Sequence, residues 1–196
     1  MADVQTRPVG RDAVLVEVDS PQDAVALAAW ARARGLADDV VPGAETVLFD
    51  GVVDADALFE GLEAWTPAEP PVGPEVELPV AYDGPDLEAV AASWGCDVDE
   101  VAVRHQAVEL VSAFCGFAPG FAYLSGLEVS VPRLATPRTR VPAGSVALAG
   151  TWCGVYPVAS PGGWQIIGTT DAVLWDPQRS EPALLAPGTR VRFRQA

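Results

Sequence analysis

The hydrophobic pattern near the start of the chain predicts one strand followed by one helix. Residues 12–18, DAVLVEV, are rich in β-branched and aliphatic side chains, which is typical of a strand. Ser20 and Pro21 then provide a helix start with proline at the first helical position, and the helical pattern continues to Gly35, a natural stop. The chain therefore opens with a strand and a helix.

The same order repeats once. Residues 45–51 predict a second strand, and residues 54–65 predict a second helix, because Leu58, Leu62 and Trp65 fall on one face of it. This βαβα order predicts a small α+β domain.

A proline-rich stretch follows this domain. Residues 66–76, TPAEPPVGPEV, contain four prolines, which disfavour regular structure and mark the best linker in the chain. The sequence thus predicts an α+β domain over residues 1–65 and a second domain over residues 77–196.

The second domain begins with a strand and two helices and then changes character. Residues 77–82 predict the strand, and residues 84–95 and 97–106 predict helices that each begin near an aspartate suited to capping or to the helix dipole. Short apolar runs between glycines and prolines follow, which are typical of an antiparallel β barrel or sandwich. These runs lie at residues 108–114, 145–150, 154–158, 164–170, 172–176 and 189–194.

Composition makes a soluble cytoplasmic protein the default expectation. With 196 residues and 49% hydrophobic side chains, the chain is long enough for one large domain or two small ones. It has no apolar stretch near the roughly 20 residues that cross a bilayer, and its first residues lack the pattern of a secretory signal. Three cysteines without CxxC spacing fit a reducing compartment, and a single histidine makes no recognisable zinc cluster. We therefore expect no membrane contact and no metal site.

Charge narrows the class of partner. The net charge is −15, but from residue 112 onwards seven arginines outnumber four acidic residues. An acidic chain is a poor candidate for nucleic-acid binding, whereas a local arginine cluster suits a small anion. All twelve basic residues are arginine, which excludes a lysine Schiff base and the P-loop lysine that contacts ATP phosphates. If the protein takes part in ATP chemistry, much of the nucleotide site belongs to another chain.

Residues 116–126, GFAPGFAYLSG, combine glycines, a proline and aromatic rings. One interpretation is a structural corner in which the rings fill a barrel end, and residue type alone favours it. The other interpretation is a loop that lines a pocket, where glycine lets the backbone approach a ligand.

Three arginines lie close together in residues 132–144, PRLATPRTRVPAG. Prolines keep this segment extended, so Arg138 and Arg140 point to the same face, with Arg133 nearby. Two guanidinium groups on one face suit a carboxylate or a phosphate. Solvated arginines or surface ion pairs explain the pattern equally well.

Three further signals are weak when each is considered alone. Gly162 and Gly163 provide backbone amides that suit an anion nest, although glycine turns are usually only turns. His105, at a predicted helix end that would favour its charged form, suits a general acid or base, although a capping histidine is more common. Cys115 lies in an apolar run and is interpreted as a buried thiol rather than a nucleophile.

Taken together and in order, these segments resemble one protein family. The sequence is similar to the family of the 5-oxoprolinase B subunit. The similarity lies in His105, then residues 116–127, 132–150 and 154–170, and a closing PGTRVRF over 187–193. That family is also described as allophanate hydrolase subunit 1 and includes the Kip-type sporulation histidine-kinase inhibitor. The resemblance is strong over about residues 78–196 and weaker over residues 1–65, where the first domain looks short.

The resemblance implies an α+β N-terminal domain followed by a mainly β, cyclophilin-like barrel domain. It also implies an ATP-dependent enzyme that opens 5-oxo-L-proline, a small lactam, to L-glutamate. In that enzyme this chain pairs directly with the C subunit of the 5-oxoprolinase and cooperates with its A subunit. ATP would be shared with, or bound mainly by, those partner subunits.

The resemblance assigns roles to particular residues. His105 and Arg138 are the expected catalytic residues, and His105 would relay protons in a cleft completed by the C subunit. Arg133, Arg140, Gly162 and Gly163 are expected to bind the substrate or an anion. The expected cleft wall consists of Phe117, Pro119, Gly120, Phe121, Tyr123 and Trp164.

The chain departs from the family at two positions, which leaves an alternative open. Leu110 stands where the family usually has tyrosine, and Thr169 stands where it usually has arginine, which removes one cation from the expected cleft. The alternative is a non-catalytic Kip-type regulator that binds and inhibits a histidine kinase. Prolyl isomerisation, suggested by the barrel alone, ranks last because a fold does not carry function.

Overall fold

The computed structural model describes residues 5–69 and 72–196 and divides into two compact units, Met1–Val72 and Gly73–Ala196. The division falls inside the predicted linker, residues 66–76, of which Pro70 and Pro71 lie outside the described residues. The last two residues of that stretch, Glu75 and Val76, already belong to the first strand of the second unit.

The first unit contains a four-stranded antiparallel sheet. Its strands are β1 (Thr6–Val9), β2 (Ala13–Glu17), β3 (Ala37–Pro42) and β4 (Thr46–Val52), and their order in the sheet is β1-β2-β4-β3. The sequence predicted β2 and β4, but it missed β1 and β3. These two are the edge strands, and their residues are largely exposed, so they lack the hydrophobic pattern of a buried strand.

Two helices complete the first unit, and both were predicted. Helix α1 (Pro21–Arg32) follows Ser20, whose hydroxyl accepts a hydrogen bond from the backbone N–H of Asp23. Helix α2 (Ala55–Ala64) begins after Asp54, which caps it in the same way. Leu58, Leu62 and Trp65 are all buried, as their shared face predicted. They join Val16, Leu27 and Phe49 in one apolar core.

The second unit is built on a seven-stranded sheet that is almost closed. Its order is β12-β9-β10-β7-β6-β13-β5. The strands are β5 (Glu75–Val80), β6 (Leu110–Cys115), β7 (Ala122–Ser125), β9 (Ser145–Ala149), β10 (Trp152–Val155), β12 (Gln165–Thr169) and β13 (Arg190–Gln195). A separate two-stranded ribbon pairs β8 (Arg138–Val141) with β11 (Ser160–Gly162).

Backbone hydrogen bonds between Ala81 and Thr169 join the two edges of this sheet, so it forms a barrel-like closure. The mainly β second unit is thereby confirmed. The expectation of a purely antiparallel barrel is wrong in one place, because β13 pairs in parallel with β5 over its whole length. Parallel pairing needs a long crossover, and here helices α3 (Leu87–Trp94) and α4 (Val98–Ala107) lie within it.

The aspartates before these two helices lie at the expected positions but do not cap the helices by hydrogen bonds. Asp86 and Asp97 occupy the capping positions, yet neither side chain makes a capping hydrogen bond. The carboxylate of Asp86 instead contacts residues far along the chain. It accepts hydrogen bonds from Arg138 and from the backbone N–H of Ile166.

One predicted strand is absent among the described residues. Residues 172–176 form only a single bridge, between Trp175 and Ala183, because nearby prolines cannot donate to a ladder. Conversely, β7 lies inside the glycine-rich segment 116–126, which the sequence indicated as either a structural corner or a pocket-lining loop. Within the described part of the chain, no helix is long and apolar enough to cross a membrane.

Candidate functional site

The turn between β6 and β7 presents the ring of Phe117 to solvent. The backbone N–H of Ala118 donates to the carbonyl oxygen of Gly116 (2.7 Å), and Phe117 between them has a φ of 68°. This is a γ-turn with its central residue in the left-handed region, which is a strained conformation for a residue with a side chain. The ring is 60% exposed although it is large and apolar.

Behind this turn lies a network of seven aromatic rings. Phe114 stacks on Tyr123 with 4.3 Å between ring centroids, and the ring of Phe121 makes edge-to-face contacts with four neighbours. Such contacts stabilise the cluster beyond simple burial. The members are Phe114, Phe117, Phe121, Tyr123, Trp152, Tyr156 and Trp164.

The predicted wall residues separate into a packed layer and an exposed rim. Phe121 and Trp164 are buried, and Gly120 is buried with a φ of 86°, where an added Cβ would overlap Trp175. These three residues support the structural interpretation of the segment. Phe117 is exposed at the rim, and Tyr123 is partly exposed.

Pro119 is also exposed and lines a surface groove of about 560 Å³. Gly144, Val158, Val173 and Trp175 contribute to the same groove.

Arg138 is held in a fixed orientation by Asp86. Its Nη2 donates to Asp86 Oδ1 (2.8 Å), and Asp86 Oδ2 accepts from the backbone N–H of Ile166 (2.7 Å). Both side chains are largely shielded from solvent, at 29% and 10% exposure. The second terminal nitrogen of Arg138, Nη1, is buried and has no hydrogen-bond partner among the described residues. A buried guanidinium N–H without an acceptor is costly, so this edge is suited to an acceptor from outside the chain.

Tyr156 brings a hydroxyl to the same place. Its side chain is buried, and its hydroxyl lies against Gly162, where an added Cβ would overlap it. Burial raises the pKa of Tyr156, while the backbone of Trp164 and the charges of Arg133 and Arg138 oppose that rise. Arg138 is the strand partner of Gly162 in the ribbon, whereas Arg133 is exposed.

The other predicted anion-binding residues are placed differently. Arg140 is exposed and makes no hydrogen bond or ion pair within the described residues. Gly162 pairs with Arg138 in the β8–β11 ribbon, and the carbonyl of Gly163 accepts from the backbone N–H of Leu134. The backbone at these glycines is thus engaged in local pairing, and the hydroxyl of Tyr156 gives a packing reason for Gly162.

His105 does not line a cleft, which corrects its expected position. The imidazole is fully buried at the end of α4, where Nδ1 lies 2.8 Å from the Tyr82 hydroxyl and Nε2 lies 3.4 Å from Cys153 Sγ. Its ring also packs on Phe193, with 4.6 Å between centroids. Burial lowers the pKa of His105 to about 3, so the helix C-terminus does not keep it charged. The geometry is that of a neutral core histidine.

The remaining sequence expectations concern single positions. Burial raises the pKa of the Cys115 thiol, in agreement with an unreactive cysteine. Leu110 is fully buried in the barrel core. Thr169 lies on the closing seam, where its hydroxyl donates to Asp83 Oδ1 (3.1 Å). Among the described residues, no group of three or more His, Cys, Asp or Glu side chains is arranged to hold a metal ion.

Asp86 and Tyr156 are the two site residues that sequence reasoning missed. Asp86 was interpreted only as part of a helix start, and its partner Arg138 lies 52 positions away, so no local pattern links them. Tyr156 belongs to an apolar run predicted as a strand, and a phenol in such a run was the available signal.

Comparisons with known proteins agree with this arrangement. The family described as carboxyltransferase domain, subdomain C and D, matches residues 4–185. The 5-oxoprolinase B subunit from Escherichia coli O157:H7 is 42% identical over 94% of this chain and 93% of its own length.

Solved structures share the fold. A crystal structure of TTHA0988 superposes with a TM-score of 0.79 at 34% identity over 95% of this chain, which spans only 40% of the TTHA0988 chain. The urea carboxylase of Kluyveromyces lactis superposes with a TM-score of 0.70 at 20% identity, covering 98% of this chain and 22% of that chain. The second likeness is one of fold alone.

Proposed function

The chain belongs to the carboxyltransferase domain family, subdomains C and D, and we propose that within this family it is the B subunit of an ATP-dependent 5-oxoprolinase. The complex would add water across the lactam C–N bond of 5-oxo-L-proline to give L-glutamate, with hydrolysis of ATP to ADP and phosphate. The direct partner would be the C subunit, the third component would be the A subunit, and the compartment would be the cytoplasm.

Similarity along most of the chain supports this proposal. The Escherichia coli relative, which is named as a 5-oxoprolinase B subunit, matches 94% of the chain at 42% identity. That name also implies a complex of several subunits, which fits a chain whose candidate site is a rim of exposed apolar residues beside an incomplete set of polar groups.

The single observation that carries the proposed chemistry is the Arg138 guanidinium with one edge paired and one edge free. Nη2 donates a hydrogen bond to Asp86, and buried Nη1 has no acceptor among the described residues. The substrate of the proposed reaction carries a carboxylate, and its activation by ATP would produce a phosphoryl group. Either one would satisfy the free N–H.

His105 has a different role in this proposal from the proton relay that the sequence predicted. As a buried neutral imidazole between Tyr82 and Cys153, it would join the segment after β5 to α4 and β10 through hydrogen bonds. Proton transfer to the lactam would then come from groups nearer the rim or from the partner chains.

ATP would be bound mainly by the partner subunits. The chain contains no lysine and no P-loop motif, and the carboxylate nearest to Arg138 is committed to two hydrogen bonds. When bound, ATP supplies the activation that makes lactam opening favourable. The contribution of this chain is to orient the anionic end of the substrate or of its activated form.

Reconstitution tests the proposal. The chain is co-expressed with candidate A and C subunits, recovered by affinity purification, and assayed for ADP and glutamate that depend on 5-oxo-L-proline. Formation of both products only when all three chains are present is the expected result. A stable complex that forms neither product contradicts the substrate assignment. Failure to bind the two candidate partners, together with binding to a histidine kinase, favours the regulator instead.

A further inference from the structure

An unpaired N–H and a hydroxyl lie together beside the β8–β11 ribbon. Buried Nη1 of Arg138 has no partner in the described part of the chain. Gly162, which pairs with Arg138 in the ribbon, lies against the Tyr156 hydroxyl. A hydrogen bond with the backbone of Trp164 and the charges of Arg133 and Arg138 lower the pKa of that hydroxyl against the effect of burial. An N–H and an O–H that both donate are complementary to an anion with several acceptor oxygens.

The carboxylate of Asp86 pairs with only one edge of the Arg138 guanidinium. Asp86 Oδ1 accepts from Arg138 Nη2, and Oδ2 accepts from the backbone N–H of Ile166. The backbone N–H of Asp86 in turn donates to the carbonyl of Ile166 (3.1 Å), so the aspartate is fixed to β12 on two sides. Asp86 therefore holds one edge of the guanidinium and leaves the other edge directed away from it.

We propose that Tyr156 and Arg138, assisted by Arg133, form an anion-binding site in which Asp86 is the positioning residue. Arg138 Nη1 and the Tyr156 hydroxyl each donate to an oxygen of a carboxylate or phosphoryl group. This proposal rests on the proposed function only where it names 5-oxo-L-proline as the source of the carboxylate. Inorganic phosphate is the probe for the phosphoryl group.

Tyrosine suits this role because it remains a donor. Burial keeps the phenol neutral, and a neutral phenol donates one hydrogen bond to an anion. Gly162 leaves the space that the hydroxyl occupies, and the ring is held by edge-to-face contacts with Phe117 and Phe121. The hydroxyl is thus placed before any ligand arrives, which reduces the entropic cost of binding.

Calorimetric titration of the full chain alone tests the site without turnover. The chain is titrated with 5-oxo-L-proline, with inorganic phosphate, and with 2-pyrrolidinone, a neutral lactam of the same ring. We expect binding of at least one of the two anions and no comparable binding of the neutral lactam. Binding of neither anion, or equal binding of the neutral lactam, overturns the proposal.

Tyr156→Phe removes only the hydroxyl, and Tyr82→Phe is the matched control because it removes a hydroxyl that contacts His105 instead. We expect Tyr156→Phe to weaken anion binding about tenfold or more, since a hydrogen bond to a charged group is lost, and Tyr82→Phe to leave it unchanged. Unchanged affinity in a folded Tyr156→Phe chain overturns the role of the hydroxyl.

A spectroscopic signature tests the positioning role of Asp86. In a chain labelled with ¹⁵N-arginine, the Arg138 guanidinium, identified by its loss in Arg138→Lys, should rotate slowly and shift when the anion is added. Asp86→Asn should give fast rotation and weaker anion binding, whereas a merely structural role would leave the rotation unchanged.

Two further results distinguish a failure of the anion-binding site from a failure of the proposed reaction. Anion binding by the chain alone, with a silent reconstituted complex, rejects the proposed reaction and keeps the site. An active complex in which this chain binds no anion rejects the site and keeps the reaction.

Discussion

At the residue scale, burial and hydrogen-bond partners decide whether a polar side chain supports the core or is available to bind a ligand. His105 and Arg138 were both predicted as catalytic residues, yet the structure gives them opposite environments. The imidazole is enclosed in the core, while the guanidinium keeps one edge without a partner near the surface. The sequence indicated both residues by their type and, for Arg138, by its arginine-rich segment. It carried no information on burial, because burial at position 105 depends on Tyr82, Cys153 and Phe193, which are distant in sequence.

The protonation of His105 follows from its burial and is directly measurable. Its folded pKa of about 3 lies below the unfolded value of 6.5, so the unfolded chain takes up the proton first as the pH falls. The free energy of unfolding should therefore decrease by about 1.4 kcal/mol per pH unit below pH ~6.5 from this group. Denaturant unfolding between neutral pH and about pH 5, above the range where most carboxylates titrate, measures this slope.

The control for this prediction is His105→Gln, which has no titrating imidazole and should lose that slope. His105 is the single histidine of the chain, so its NMR signal is unambiguous. An imidazole signal that titrates near its ordinary pKa in the folded protein would contradict the account.

The packing of Tyr156 predicts the effect of a methyl group on Gly162. A Cβ there would overlap the phenol oxygen, so Gly162→Ala should cost about 1–3 kcal/mol of unfolding free energy and displace the hydroxyl. At Gly116 a Cβ would meet only Tyr123, at an ordinary 3.8 Å, so Gly116→Ala should be nearly neutral. Thermal unfolding of both variants makes the comparison, and equal losses would count against the packing described.

At the element scale, elements defined by nearby residues could be predicted from the sequence, whereas pairing between distant strands could not. The start of α1 was predicted because Ser20 caps the helix only three residues away and Pro21 is its first residue. The parallel pairing of β5 with β13 has no such signal, since the two strands come from opposite ends of the second unit. The glycine-rich segment was ambiguous for the same reason, because β7 is defined by its neighbours β6 and β10.

The γ-turn at Phe117 predicts that a glycine variant at this position is more stable than an alanine variant. Phe117→Ala and Phe117→Gly both remove the ring, but only glycine adopts a φ of 68° without steric cost. We expect the glycine variant to be more stable than the alanine variant by about 1 kcal/mol. Denaturant titration of the two proteins measures the difference, and an alanine variant that is the more stable of the two would exclude strain at this position.

At the scale of the whole molecule, each unit has its own core. In the second unit, β5 and β13 contribute Leu78, Val80, Val191 and Phe193 to one cluster, and the Ala81–Thr169 bridge closes the sheet. The prolines indicated a linker and the turn signals indicated a barrel or sandwich, but no local signal indicated the Ala81–Thr169 bridge that closes the sheet.

This organisation predicts independent folding of the second unit. A fragment spanning Gly73–Ala196 should unfold cooperatively, because its core and its sheet are complete. A fragment starting at Ala81 lacks β5 and should not fold, since it exposes the edge of β13 and loses buried side chains. Calorimetry of the two fragments distinguishes them, and a non-cooperative Gly73–Ala196 fragment would contradict the prediction.

The most direct test of the central claim is the turnover of the reconstituted complex that contains Arg138→Ala. We expect this variant to assemble normally but to lose about a hundredfold or more in kcat/KM for 5-oxo-L-proline, because a charge-assisted pairing worth a few kcal/mol is removed. The control Arg194→Ala, which removes an exposed arginine paired with Glu77, should keep its turnover. Unchanged turnover in an assembled Arg138→Ala complex would contradict the claim that this guanidinium binds the reacting anion.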